Sequence, residues 1–227
     1  MSKIFNTALP IVGSVVLSSA AFAGNSIVAS YTYDSLSGSY VVSSPVTGVF
    51  TANATSGALL NTVGDFNRIL PTSQNAAFPA GFVADANPAN ISLSVNVTVI
   101  GLNQALGTGT LTITDIDGDQ FTTGLSGIWT RTTLGVNFNA AMVNPAFVDN
   151  GALDGTFNGY AGGWSMDFGT QPLTGASVAL VISSSGFFNT AFSDRPVGVS
   201  GQILPTPGAL ALGLAGATVV LRRRRDA

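Results

Sequence analysis

The sequence predicts an all-β fold, an antiparallel β-sandwich or jelly roll in a single domain. Apolar and polar residues alternate in short stretches, which places one side of each strand in a core and the other in water. Turn dipeptides stand between these stretches, which favours tight hairpins; examples are Asp117-Gly118, Asp154-Gly155 and Asn158-Gly159. Of 227 residues, 46% are hydrophobic and 14 are Phe, enough to bury a core.

The clearest strand covers residues 91–99, where apolar and polar side chains alternate without interruption, and residues 110–114 repeat the pattern. Residues 58–69 are the best candidate for a short helix, because apolar residues cluster there. Residues 70–90 contain three prolines and predict a long loop, a weak candidate for binding. Further strands are predicted at 26–33, 39–44, 47–52, 120–131, 133–138, 155–160, 178–182, 187–192 and 197–203.

The composition excludes several function classes. The chain has no Cys and no His, which excludes Ser-His-Asp and Cys-His catalysis, disulfides and an ordinary zinc site. Between residues 24 and 204 there are ten Asp against three Arg, a net charge of −7. Because such a surface repels phosphate backbones, we expect no binding to nucleic acid, whereas divalent cations are attracted.

Residues 1–23 have the pattern of a secretory signal peptide. Lys3 provides the basic start, residues 11–17 form a short apolar stretch, and Ala21 and Ala23 form an A-x-A cleavage site before Gly24. The sequence therefore predicts export with cleavage after Ala23. The alternative is an N-terminal helix that packs in the core.

The last 23 residues, 205–227, have three parts. Pro205, Thr206 and Pro207 precede a Gly/Ala/Leu-rich apolar stretch at 208–221, and four arginines follow: Arg222, Arg223, Arg224 and Arg225. Fourteen helical residues reach about 21 Å, short of the roughly 30 Å of bilayer hydrocarbon. The arginines favour the cytoplasmic side, which leaves the rest of the chain outside. We expect a hydrophobic helix that holds the protein at the inner membrane transiently or as a stable anchor.

This arrangement resembles the PEP-CTERM sorting tail, in the Pro-Thr-Pro form common in planctomycete-like bacteria; Thr206 stands where Glu is usual. The resemblance covers residues 205–227. It implies processing by an exosortase, a membrane cysteine protease-transpeptidase. It also implies a cell-surface or extracellular-matrix protein of bacteria that make exopolysaccharide, with a structural or adhesive role in a biofilm. The domain organisation is then a signal peptide at 1–23, a β body at 24–204 and the tail. The alternative is a tail anchor that is never processed.

Three alternating carboxylates, Asp115, Asp117 and Asp119, are the sharpest local feature of the body. Carboxylates spaced in this way around Gly118 can bring oxygen ligands to Ca²⁺. An EF-hand would need Gly and Glu at the positions that hold Gln120 and Ser126, so that motif is absent. The other interpretation is a β-hairpin whose aspartates accept turn amides. The two are compatible, because a metal can fix the end of a hairpin.

No spacing singles out a catalytic pair of carboxylates, so the sequence predicts a protein that is not an enzyme. A polysaccharide hydrolase would have to draw on aspartates that are scattered along the chain: Asp115, Asp119, Asp149, Asp154 and Asp167. Trp129, Tyr160 and Trp164 are either core residues or a stacking platform for sugars. A stacking platform for sugars would make the protein a carbohydrate-binding, lectin-like module. Its cofactor would be Ca²⁺ if the three aspartates bind that ion.

Overall fold

The computed structural model describes residues 26–79, 90–133, 135–181 and 189–206. The predicted signal peptide and the predicted apolar helix at 208–221 lie outside these residues. In the described part the chain is all-β, as the sequence predicts, and it contains no helix. It forms twelve strands: β1 (Ala29–Ser44), β2 (Thr47–Asn53), β3 (Val63–Arg68), β4 (Gln74–Phe78), β5 (Asn90–Gly101), β6 (Gln104–Thr114), β7 (Gln120–Arg131), β8 (Val136–Val148), β9 (Thr156–Asn158), β10 (Gly163–Ser165), β11 (Leu173–Val181) and β12 (Phe192–Pro205).

Ten strands form one antiparallel sheet in the order β12-β11-β8-β7-β6-β5-β2-β1-β3-β4, and β9 pairs with β10 in a separate hairpin. The first strand also pairs with the last, Ala29 opposite Ile203 and Tyr40 opposite Phe192. The sheet therefore closes on itself through eight strands: β1, β2, β5, β6, β7, β8, β11 and β12. Closure leaves no unpaired edge within this ring.

The first strand is continuous where the sequence predicts two strands, at 26–33 and 39–44. A register shift between Tyr33 and Leu36, with Ser35 at φ 62°, bends the strand without ending it. Its first half pairs with β3 and its second half with β2. The bend thus allows one strand to serve two neighbours on the same side.

The short helix predicted at 58–69 is wrong. Residues 63–68 form β3, and Leu59 is almost fully exposed. Phe66 is the residue that decides this outcome, because pairing with β1 buries its ring among other aromatic rings. Tertiary pairing here overrides a local apolar pattern.

Two further sequence predictions are corrected. The loop predicted at 70–90 contains a strand, β4, which pairs with β3 and buries Ala76 and Phe78; residues 80–89 lie outside the described residues. The strand predicted at 187–192 is absent from residues 189–191, and β12 begins at Phe192.

Aromatic rings from opposite walls of the closed sheet meet in its interior. Phe50 on β2 lies edge-on against Trp129 on β7, with 5.0 Å between ring centroids, and Tyr31 on β1 lies 6.0 Å from Phe121 on β7. Gly201 stands directly opposite Tyr31 on the neighbouring strand, and a Cβ there would collide with the ring. The large rings therefore fit because a strand position beside them has no side chain.

One end of the ring carries the features that concern function. Because neighbouring strands are antiparallel, the β6–β7 turn, the start of β1 and the end of β12 all lie at this end, which we call the aspartate end. The β9–β10 hairpin contributes to the core: the Trp164 ring stacks on Phe157 at 5.0 Å and its Nε1 donates to the Phe66 carbonyl oxygen at 2.8 Å. None of the described residues belongs to a helix of the length and apolar character that a membrane crossing requires.

Candidate metal site

The β6–β7 hairpin confirms the predicted turn and places three aspartates together. Asp115 directly follows β6 and Asp119 directly precedes β7, and the main-chain amide of Asp115 donates to the carbonyl oxygen of Asp119 at 2.9 Å. Gly118 has φ 110°, a conformation that glycine adopts without strain. The tight turn keeps all three carboxylates on a five-residue loop.

Asp115 organises this loop. Its Oδ1 accepts hydrogen bonds from the main-chain amides of Asp117, Gly118 and Asp119 at 3.1, 2.9 and 2.8 Å. Its Oδ2 accepts the amide of Asn158 on β9 at 2.6 Å. The buried carboxylate thus holds the turn in shape and joins it to the β9–β10 hairpin.

Asp119 joins the hairpin to the segment that follows β8. Its Oδ1 accepts the main-chain amides of Asn150 and Gly151 at 2.7 and 2.9 Å. Gly151 packs so closely on the main chain of Asp117 that a Cβ would overlap the carbonyl group. The β6–β7 turn, the segment after β8 and the β9–β10 hairpin are therefore fixed around the same carboxylates.

Two carboxylate oxygens at this site are buried and accept no hydrogen bond in the described part of the chain: Asp117 Oδ1 and Asp119 Oδ2. The other oxygen of Asp117 accepts the side-chain amide of Asn158 at 3.0 Å. Asp115, Asp117 and Asp119 each offer a carboxylate oxygen, and these oxygens lie within 4.8 Å of one another. The predicted residues are therefore brought together, at distances that suit shared coordination of one cation.

Negative charge is concentrated around this loop. Burial, followed by the carboxyl group of Asp117, raises the pKa of Asp115 to about 7. Loss of hydration and the charge of Asp119 raise the pKa of Asp149, which directly follows β8. Asp154 lies nearby, where its Oδ2 is 3.5 Å from the side-chain amide of Asn158. Among the described residues, no arginine forms an ion pair with these carboxylates.

The sequence does not indicate that Asn158 and Asp149 lie beside the three aspartates of the turn. In the sequence Asp149 is one of several scattered carboxylates, and it lies 30 residues after Asp119. Of that group, Asp167 lies elsewhere, beside Arg68, whose guanidinium donates to the main-chain oxygens of Ser165 and Asp167. No sequence spacing indicates which of these carboxylates meet.

The aromatic residues considered for sugar stacking separate into two groups. Trp129 and Trp164 are buried in the core, the first of the two alternatives that the sequence left open. Tyr160 is half exposed in the β9–β10 connection. Neither tryptophan ring can therefore offer a face to a ligand on the surface.

Of the predicted sorting motif, only Pro205 and Thr206 lie within the described residues. Pro205 is the last residue of β12 and pairs with Leu173, and the amide of Thr206 donates to the carbonyl oxygen of Pro172 at 2.7 Å. The predicted cleavage residues Ala21 and Ala23 lie outside the described residues, as do Pro207, Arg222, Arg223, Arg224 and Arg225.

No family model, curated protein or solved structure matches this chain.

Proposed function

We propose that this chain is an exported bacterial cell-surface or matrix protein, in which residues 24–204 have a structural or adhesive role and the tail directs sorting. The observation that carries the proposal is a closed sheet that combines a filled aromatic interior with rows of hydroxyl and amide side chains on the outer face of β5, β6 and β7. The resemblance of residues 205–227 to an exosortase-processed tail supplies the location. That the protein is not an enzyme stays a prediction.

The outer face of β5, β6 and β7 supports a role in contact with polysaccharide. Rows of short polar side chains cross these strands: Ser92 pairs with Thr112, which pairs with Thr122. Four residues further along β5, Asn96 pairs with Thr108, which pairs with Ser126, and all three side chains are exposed. Hydroxyl and amide groups both donate and accept hydrogen bonds, as the hydroxyls of a polysaccharide do. A face of this kind suits many weak contacts along a polymer.

The positions of the two chain ends support attachment at one side of the body. The amide of Val28 donates to the carbonyl oxygen of Ile203 at 2.9 Å, so the described chain enters and leaves at the aspartate end. Residues 1–23 and 207–227 are connected to this end through only a few residues each. A membrane-held precursor would therefore face the membrane with the aspartate end and present the opposite hairpins outwards.

The finer architecture that we propose is a sandwich-like single domain closed at both sides. Strands β1 and β2 form part of one wall, and β7 lies in the opposite wall. The contacts of Phe50 with Trp129 and of Tyr31 with Phe121 join these walls across the interior. The pairing of β12 with β1 then connects the walls on one side, which stiffens the body without disulfides.

The sorting part of the proposal is tested by expressing the full chain and a variant that lacks residues 207–227 in a bacterium with an exosortase. The last described strand ends at Pro205, so the deletion leaves every described strand intact. Fractionation should find the full chain at the surface or in the matrix and the deletion variant elsewhere. Resistance of the variant to protease serves as its folding control. An unchanged destination would contradict the proposal.

The adhesive part is tested by retention of the purified full chain on exopolysaccharide from such a bacterium. Thr110→Arg places a bulky cation in the middle of the polar face and should reduce retention several-fold. Asn103→Arg adds the same side chain in the exposed turn between β5 and β6, and should retain binding. Equal retention of both variants would contradict a role for this face.

A further inference from the structure

Two segments of the chain bring carboxylates to one place at the aspartate end. The β6–β7 turn supplies Asp115, Asp117 and Asp119, with one oxygen of each within 4.8 Å of the others. The segment after β8 supplies Asp149, whose chain neighbour Asn150 donates its main-chain amide to Asp119 Oδ1 at 2.7 Å. The three carboxylates of the turn repel one another at this range and Asp149 adds a fourth negative charge, and no arginine of the described chain forms an ion pair with them.

The observation that points to a ligand is the environment of Asp119. Its side chain is fully buried, and while Oδ1 accepts two main-chain amides, Oδ2 has no hydrogen-bond partner in the described chain. A buried carboxylate oxygen without a donor is costly unless a proton or a cation reaches it. Asp117 Oδ1 is buried and without a partner in the same way.

The hydrogen bonds around these oxygens hold the carboxylates in position. Main-chain amides fix Asp115 and Asp119, and the side-chain amide of Asn158 fixes Asp117. Each of these bonds uses an oxygen other than Asp117 Oδ1 and Asp119 Oδ2, which leaves those two free to bind. This division between held oxygens and free oxygens is typical of a preformed ligand set.

We propose that Asp117 and Asp119, with Asp149 and the remaining lone pairs of Asp115, bind one calcium ion. The donors are all oxygens and the chain contains no His or Cys, a set that suits hard cations and not zinc or copper. Ca²⁺ accepts six to eight oxygens in irregular geometry, whereas Mg²⁺ requires a near-ideal octahedron and keeps several waters. An irregular loop rich in carboxylates therefore favours Ca²⁺.

A bound ion would join the β6–β7 turn to the segment after β8, and through Asn158 to the β9–β10 hairpin. These are the elements that cover the aspartate end of the core. The site does not depend on the tail, so it stands or fails independently of the proposed location. If the protein is exported, the millimolar calcium typical of extracellular modules is the relevant range.

The test is calorimetric titration of the full chain with Ca²⁺ after treatment with a chelator, up to about 10 mM, which exceeds the weak end of the range for extracellular calcium modules. The expected result is one Ca²⁺ per chain, with Mg²⁺ binding at least tenfold more weakly. Absence of binding over this range would overturn the proposal. Binding of Mg²⁺ as tight as that of Ca²⁺ would overturn the assignment of the ion.

Variants locate the site. Asp119→Asn and Asp149→Asn should each weaken Ca²⁺ binding at least tenfold and abolish the rise in thermal midpoint that Ca²⁺ produces. The control is Asp194→Asn, an exposed aspartate at φ 54°, a conformation that Asn tolerates. If Asp119→Asn fails to fold, Asp149→Asn decides, because Asp149 is exposed. Unchanged affinity in Asp149→Asn and in any folded Asp119 variant would place the ion elsewhere and refute the proposal.

Discussion

Substitution of Trp164 tests whether the β9–β10 hairpin is part of the core. The hairpin has only three residues in each strand, yet the Trp164 ring is buried, stacks on Phe157 and lies 5.2 Å from the ring of Phe66. Its Nε1 donates to the carbonyl oxygen of Phe66. Two strands this short have little stability of their own, so these contacts are what hold the hairpin.

The expected cost of Trp164→Ala is about 3–5 kcal/mol, the range for large aromatic side chains that leave a cavity in a core. Trp164→Phe keeps a ring against Phe157 and loses the hydrogen bond to the Phe66 carbonyl oxygen, so its cost should be about 1–3 kcal/mol. The control is Tyr160→Ala in the same hairpin. Because Tyr160 is half exposed, that change should stay within about 0.5 kcal/mol.

The assay is urea unfolding followed by fluorescence. The chain has two tryptophans, so Trp129, buried between β2 and β8, remains as the reporter in both Trp164 variants. At a typical slope of about 1–3 kcal/mol per molar urea, Trp164→Ala should lower the midpoint by at least about 1 M. A loss of stability below about 1 kcal/mol would mean that the hairpin does not pack on the core, and would refute the reasoning.

Three other outcomes follow from the described contacts. In the presence of a chelator, the free energy of unfolding should fall as pH rises from about 4 to 7, because the folded chain holds a proton on Asp115 that the unfolded chain has already lost. Urea unfolding midpoints measured across this pH range check the prediction. Saturating Ca²⁺ should make the free energy of unfolding depend less steeply on pH. Gly201→Ala should cost about 1–3 kcal/mol by pressing on the tyrosine ring opposite, whereas Gly101→Ala, with open space around it, should lower the thermal midpoint by a few degrees at most. Arg68→Met removes three hydrogen bonds to main-chain carbonyls and should cost at least about 2 kcal/mol in chemical unfolding, while Arg195→Met at an exposed position should be near neutral.

The strands that the sequence predicts best are those with an uninterrupted period of two. Residues 91–99 and 110–114 alternate strictly, and both lie within the strands observed there, β5 and β6. Alternation of this kind is a local property, because it depends only on which side of the strand faces the core. The turn at Asp117-Gly118 is also predictable from local sequence, because an Asp-Gly pair favours a tight turn.

The helix predicted at 58–69 shows where local reasoning ends. Apolar residues at 59, 60, 63 and 66 fit a helix as well as a strand, and the choice depends on β1, which pairs with residues 63–68. The closure of the sheet is a stronger case, since it joins residues about 170 positions apart, such as Ala29 and Ile203. No pattern within either strand identifies the other as its partner.

The candidate site also contains residues that the local sequence identifies and residues that only the fold brings together. Asp115, Asp117 and Asp119 were identified by their spacing, because one loop carries all three. Asp149 follows β8 and Asn158 ends β9, and only the folded chain brings them to the turn. Sequence could therefore predict the centre of the site but not the residues that complete it.

The central claim, that this body is exported and sorted through its tail, is tested most directly by mass spectrometry of the protein recovered from the cell surface or matrix. The account predicts a chain that begins at Gly24 and lacks Arg222, Arg223, Arg224 and Arg225. Recovery of the chain only from the cytoplasm, with Met1 and the terminal arginines intact, would contradict it.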